Sequence, residues 1–219
     1  MRYAIYYCPG IHTALGRLGR EWLSEALSLP GISSERRQVL LADVRRYGWH
    51  ATIHAPFAPM SGASYGDVRS AVTALAETFD AFELTLRLDR LAGFLSLRPI
   101  VDGIPERALA TACLNRLQPI RASLSDEALQ HRGAGLDKEE LSLLQKHGYP
   151  YVLDRYRFHL TLAAPAGELE ELAMRKWLQS HIAALPPTRI DALAICREAA
   201  PGSPFELLER VPLCSERTP

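Results

Sequence analysis

A pattern of strict alternation occurs twice in this chain, and it restricts the possible folds more than any other feature. Over 47–56 the apolar residues Trp49, Ala51, Ile53 and Ala55 fall at every second position, with His50, Thr52 and His54 between them. Over 155–164 the pattern returns, with Tyr156, Phe158, Leu160 and Leu162 on one side and Arg155, Arg157, His159 and Thr161 on the other. Successive side chains leave a strand on opposite faces, so a period of two predicts a strand with one face buried. Each segment is then followed by the same order of elements. After the first come a helix striped by Val68, Val72, Leu75 and Phe79, opened by the capping pair Ser64 and Asp67, then strands through Phe82–Leu88 and Phe94–Leu97. After the second come a helix striped by Met174, Leu178, Ile182 and Leu185, then strands over 189–197 and 205–211. A unit met twice predicts two lobes of similar architecture facing each other.

The remaining segments fit around these units. Residues 2–8 read as a strand closed by Pro9-Gly10, followed by a helix carrying Leu15, Leu18 and Trp22. Residues 31–46 read as irregular. A helix begins near Pro105 and carries Leu109, Cys113 and Leu117. Another runs from the cap Asp137, with Glu140 three residues on, to a stop at Gly148, and a loop around Gly133-Ala134-Gly135 separates the two. No long Gly/Ser/Pro linker divides the chain. The expected fold is α+β, a single bilobal domain over 1–219. Its lobes cover roughly 1–100 and 151–219, joined by a helical connection over 101–150. Each lobe is a mainly antiparallel sheet with outer helices, and the active-site cleft lies between them.

A chain of 219 residues, 47% of them hydrophobic, can bury a substantial core. Lys+Arg and Asp+Glu are both 25, so the net charge is zero. That balance speaks against a grip on long nucleic acid through its phosphates and favours a small-molecule substrate. Cys8, Cys113, Cys196 and Cys214 are far apart and read as reduced thiols rather than a disulfide or zinc framework. The N-terminus reads as a strand rather than a signal peptide, and no apolar run approaches the roughly 20 residues that cross a bilayer. A cytoplasmic protein with no membrane partner is expected.

His50-Ala51-Thr52 and His159-Leu160-Thr161 carry the chemistry. On a strand, residues two apart share a face, so each histidine points with its threonine into one space while Ala51 or Leu160 packs inward. Two such strands from related lobes place two imidazoles and two hydroxyls around one cavity. Imidazole titrates near neutral pH, so one ring can act as base while the other acts as acid on a phosphodiester. Thr52 and Thr161 would donate hydrogen bonds to the non-bridging phosphate oxygens. No step calls for a metal or other cofactor. Along a strand, His50 and His54 stand about 13 Å apart, too far to share a zinc ion.

These two motifs, with Arg2-Tyr3-Ala4-Ile5-Tyr6, Tyr47-Gly48-Trp49-His50-Ala51-Thr52, Gly93-Phe94-Leu95 and Arg157-Phe158-His159-Leu160-Thr161, resemble the two-histidine (2H) phosphoesterase superfamily. More narrowly they resemble its branch encoded with phosphonate-utilisation enzymes. The resemblance implies a metal-independent phosphodiesterase, a hydrolase, with His50 and His159 catalytic and Thr52 and Thr161 binding phosphate. It also implies a cyclic phosphate of a phosphoribosyl compound as substrate. His54 departs from the lysine expected in that branch. It either touches the substrate or sits idle at the cavity rim. Arg157 could add positive charge, while Arg155 reads as a solvated strand end. Tyr6 points either to the cavity with Arg2 or into the core. Trp49 and Phe158 read as core anchors, and His12, His131, His147 and His181 as surface or capping residues. Two other readings remain: processing of RNA 2′,3′-cyclic phosphate ends, and a nucleotide-binding module without turnover.

Overall fold

The computed structural model describes residues 1–214. Among them run, in chain order, β1 (Arg2–Tyr7), α1 (Ala14–Leu23), α2 (Ser34–Tyr47), β2 (Ala51–Phe57), α3 (Tyr65–Ala76), β3 (Phe82–Leu84), β4 (Leu86–Leu91) and β5 (Phe94–Pro99). There follow α4 (Ile104–Leu117), α5 (Asp126–Gly133), α6 (Lys138–His147), β6 (Leu160–Ala163), α7 (Glu168–Ala183), β7 (Thr188–Ile190), β8 (Ala192–Glu198) and β9 (Phe205–Pro212). The fold is α+β. Seven strands form one antiparallel sheet in the order β4-β5-β6-β2-β1-β8-β9, and β3 pairs with β7 in a small second sheet. No described helix is long and apolar enough to cross a membrane.

The duplicated unit is visible as β2-α3-β3-β4-β5 and β6-α7-β7-β8-β9. The predicted strands over 82–88 and 189–197 each break in two, at Thr85 and Asp191, because their two ends join different sheets. Both breaks are closed alike: Ile100 N donates to Thr85 O at 2.9 Å and Leu213 N to Asp191 O at 2.8 Å. The hairpins are exchanged between units. β5 of the first unit pairs with β6 of the second, and β8 of the second pairs with β1, which pairs with β2. The halves of the sheet, β4-β5-β6 and β2-β1-β8-β9, therefore each draw on both 1–100 and 151–214. The one register pair recorded between them is Ala51 with Leu160.

One face of the sheet carries the main core. Tyr3, Ile5 and Tyr7 of β1, Ala51, Leu95, Leu97, Leu160, Leu193 and Ile195 pack there against the helices. The opposite face carries a small cluster of Ala4, Tyr6, Ala194 and Cys196. Trp49 and Phe158 join the main core, Phe158 fully buried and Trp49 partly so. Hydrogen bonds from Trp22 Nε1 to Leu162 O (2.8 Å) and from Ala164 N to Leu40 O (2.8 Å) tie β6 to the helical layer.

Several expectations are corrected. Residues 34–47 are helical rather than irregular: Ser33 caps the first turn, and Arg37, Leu40, Leu41 and Val44 are the buried positions. The stripe escapes an apolar pattern because its first member is an arginine, whose guanidinium donates to Trp22 O at 3.0 Å and to Ser24 O. The helix α5 occupies residues between the two expected helices, leading into the expected loop around Gly133-Ala134-Gly135. It buries no residue and so leaves no periodicity to find. β6 starts only at Leu160. A short helical turn over Leu153–Arg155, with Leu153 at φ +54°, precedes it, yet Tyr156 and Phe158 still face inward.

Gly19 on α1 meets the Trp49 ring so closely that an added Cβ would lie 2.5 Å from it. Trp49 Nε1 donates to Leu15 O at 3.1 Å, which fixes the indole next to His50. Gly19→Ala should gain helix propensity of about 1 kcal/mol and lose about 1–3 kcal/mol to overpacking. Chemical denaturation is expected to show a net loss; a variant more stable than the parent would refute this packing.

Candidate active site

The register around Ala51 and Leu160 sets the site. With those two opposite each other on the core face, His50 stands across from Thr161 and Thr52 across from His159, all four on the other face. Along each strand histidine and threonine are about 6–7 Å apart, and the diagonal between the histidines spans roughly 7–8 Å. The four residues are half-buried.

Each imidazole is tethered in the same way. His50 Nδ1 lies 2.9 Å from Gly48 O, and His159 Nδ1 lies 2.8 Å from Arg157 O. A carbonyl only accepts, so both Nδ1 atoms carry the proton and both Nε2 atoms are the free nitrogens of neutral rings. Thr52 Oγ1 sits 3.3 Å from His50 Nε2. The tether needs the chain two residues upstream to turn its carbonyl back. At His50 this is done by Gly48, whose φ of +81° favours glycine. The lead-in to His159 is fixed by Tyr156, whose hydroxyl donates to Thr52 O at 2.9 Å and so ties one motif to the other.

Aromatic rings flank both imidazoles. Tyr6 stands across from Thr52 in the sheet, and its ring centre is 4.0 Å from that of His50; Tyr47 lies 6.1 Å from His50 and Phe94 5.6 Å from His159. Burial in this setting lowers His50 to about 4, opposed by the Gly48 carbonyl and helped slightly by His159. His159 is lowered for the same reason, with Arg98 adding a smaller push. Sequence reasoning missed Arg98. It lies across from His159 on β5, held by Asp89 (3.1 Å) and Asp102 (2.8 Å). The alternation of Leu95 and Leu97 with Ser96 and Arg98 was the available signal.

The residues line a cleft with two connected ends. One, of about 400 Å³, holds His50, Thr52, Thr161 and Tyr6; the other, of about 660 Å³, holds His159, Arg157, His54 and Arg155. Thr52, Arg2, Phe94, Arg132 and Tyr149 border both. Arg2 is charge-matched by the buried Glu198 (2.6 Å), which also holds Arg46 at 2.7 Å; these two cations keep that carboxyl near 2. Arg157 turns back to the carbonyls of Asp154 (2.8 Å) and Tyr156 (2.7 Å). Arg155 sits in an acidic cluster with Asp137 (3.0 Å) and Glu139 (2.6 Å) rather than free in solvent. Among the described residues no group of three His, Cys, Asp or Glu side chains converges as a metal would need.

Two histidines stand elsewhere than the alternation suggests. Tyr6 pairs with Thr52, but Ile5 pairs with His54, so β2 carries one extra residue around Ile53. That bulge turns His54 away from His50, towards Phe57 and the inner wall of the larger end of the cleft. It is buried, with Nδ1 2.8 Å from Ala55 O and its ring edge-on to Phe57. His147, expected at the surface, is buried as well, because the last turn of α6 faces the cavity wall.

Comparison with known proteins follows from this geometry. Residues 52–206 match a family profile described as "Protein of unknown function (DUF1045)". The chain is 33% identical over 234 residues to the ribose 1,5-bisphosphate phosphokinase PhnN of Janthinobacterium sp. (strain Marseille), covering 98% of this chain and 51% of that one. It is 34% identical over 220 residues to the protein of the same name from Laribacter hongkongensis (strain HLHK9), covering 96% and 52%. The chain thus spans about half the length of these relatives. Similar solved structures include TT0787 of Thermus thermophilus, at TM-score 0.47 and 17% identity over 99% of this chain and 100% of that one. Another is E. coli LigT complexed with 3′-AMP, at TM-score 0.45 and 13% identity over 97% of each chain.

Burial lowers His54 to about 4, against about 6.5 for an exposed ring, so the unfolded chain takes up the proton first. Stability is then full above pH 6.5 and drains as pH falls through 4. His54→Leu is expected to remove up to about 3 kcal/mol of that acid loss. Urea denaturation at pH 7.5 and 4.5 checks this; an unchanged difference between the two would overturn it.

Proposed function

The chain belongs to the DUF1045 family, and we propose that it is a metal-independent phosphodiesterase of the two-histidine type, hydrolysing a cyclic phosphate ester on a ribose-based small molecule. The observation that carries this reading is the matched tether: two imidazoles, each with Nδ1 on the backbone carbonyl two residues upstream, and the Thr52 hydroxyl beside His50 Nε2. In the reaction, one neutral Nε2 takes a proton from water as its oxygen bonds to phosphorus. The other ring, protonated, gives its proton to the ribose oxygen as the P–O bond to the sugar breaks. The product is a phosphate monoester on an opened ring. Thr52 and Thr161 donate to the non-bridging oxygens throughout.

Neither histidine is charged near neutral pH in the free protein, because burial disfavours the cation. The substrate's own negative charge, held between the rings, favours the imidazolium that the acid role needs. A phosphoribosyl cyclic phosphate is the specific compound proposed. Its support is the sequence resemblance, together with the ribose bisphosphate named in the relatives, and the zero net charge sets long RNA aside.

His50→Ala and His159→Ala should each lower kcat/KM by about 10²–10⁴-fold, with EDTA present throughout. Activity abolished by EDTA and restored by one metal would sink the mechanism. With both pKa values below 6.5, kcat/KM should peak on the acid side of 6.5 and fall about tenfold per unit above the higher of them. A rate profile flat from pH 6 to 8 would contradict the assignment.

A further inference from the structure

The larger end of the cleft, which runs from Thr52 and His159 away from His50, carries cations without matching anions. Arg121 and Arg132 both line it, and among the described residues neither lies within ion-pair distance of a carboxylate. This contrasts with Arg2, Arg98 and Arg155, each held by acids. Glu140 also lines this wall, but it caps α6 through Asp137 N (3.0 Å) and lies 3.9 Å from Arg155. Arg121 donates only to the carbonyls of Ala122 (2.8 Å) and Lys146 (3.1 Å). It lies flat on the backbone of Gly148, where an added Cβ would be 2.6 Å from its Nη1.

Unused hydrogen-bonding atoms gather in the same place. His147 is buried, only 7% exposed, and both its ring nitrogens lack a partner. His54 Nε2 and Arg121 Nε are buried without partners too. Orphaned polar atoms of this kind are rare in a folded interior and call for a group that is bound there. Burial lowers His54, Arg121 and Arg132, and like charge adds a smaller push: Arg121 and His147 on His54, Arg132 on Arg121, and Arg2 on Arg132. An anion relieves all of these at once, whereas a neutral nucleobase would leave the two guanidinium groups unmatched.

We propose that this end of the cleft is a second anion subsite, formed by Arg121, Arg132, His147 and His54, which takes a phosphate monoester carried by the same sugar as the cyclic diester. It deepens the proposed function and rests on it for the position of the diester, since Arg132 and Tyr149 border both ends of the cleft. What is added to the compound proposed above is the place of its monoester phosphate, gripped here while the cyclic diester is hydrolysed between His50 and His159. A cavity of about 660 Å³ at this end alone accommodates a pentose phosphate.

Ribose 5-phosphate probes the subsite without any diester. Titration calorimetry should show it binding the full chain where ribose does not, with affinity kept in His50→Ala. Arg121→Gln and Arg132→Gln should each weaken binding at least about tenfold, the worth of a lost charged hydrogen bond. Circular dichroism spectra matching the parent would certify that each variant is folded. No binding by the parent, or equal binding by both arginine variants, overturns the subsite. So does binding lost in His50→Ala but kept in Arg121→Gln, which would place the phosphate at the dyad. Hydrolysis is read separately on ribose cyclic phosphate with and without the 5-phosphate. Absence of turnover on both, with ribose 5-phosphate still bound through Arg121, would sink the phosphodiesterase reading and leave the subsite standing.

Discussion

The meeting of β2 and β6 at Ala51 and Leu160 is the constraint on which the rest of this structure depends. It is the join between two half-sheets, and its register alone decides that each histidine faces the other motif's threonine. A slip of one residue would turn one whole motif into the core, since the side-chain period of a strand is two. The molecule guards this join from outside it. Tyr156 reaches Thr52 from one side, Trp22 holds Leu162 from the helical layer, and Ala51 and Leu160 are fully buried beneath. The catalytic geometry proposed here is thus a product of core packing more than of contacts within the site.

Much of this was legible in the sequence because the informative segments have one wet and one dry face. The alternation through Ala51 and Ile53, and again through Phe158, Leu160 and Leu162, follows directly from burial on one side. The duplicated order of helix and strands is equally open to inspection. What the sequence hid were departures from regular period. The extra residue near Ile53 leaves no trace in residue type, yet it turns His54 away from His50. An arginine buried at position 37 interrupts the stripe of α2, and α5 buries nothing at all. The exchange of hairpins is a matter of which edge pairs with which, and alternation within a strand does not record its neighbours.

Charge along the cleft is handled in different ways. Some cations carry an acid, as Arg2 and Arg46 carry Glu198 and Arg98 carries Asp89 and Asp102. Histidines are instead kept neutral by burial, which outweighs the pull of a carbonyl on the ring proton. Positive charge is therefore withheld at the two imidazoles and left unmatched at Arg121 and Arg132. A negatively charged guest changes both, raising the proton affinity of the rings as it neutralises the guanidinium groups.

The exchanged hairpins also bear on how the chain comes to fold. β1 lies between β2 and β8, and Arg2 meets Glu198 across 196 residues of chain. During synthesis the first strand and its antiparallel partner β2 emerge early, with the edge that β8 will cover still open. Contacts of such long sequence separation form slowly, because the loop must close before the pairing can stabilise it. Until the last strands arrive, the nascent protein carries an uncapped sheet edge, the kind of surface that chaperones shield and aggregation exploits. The price of building one cleft from two interlocked units is a folding reaction that cannot finish piecemeal.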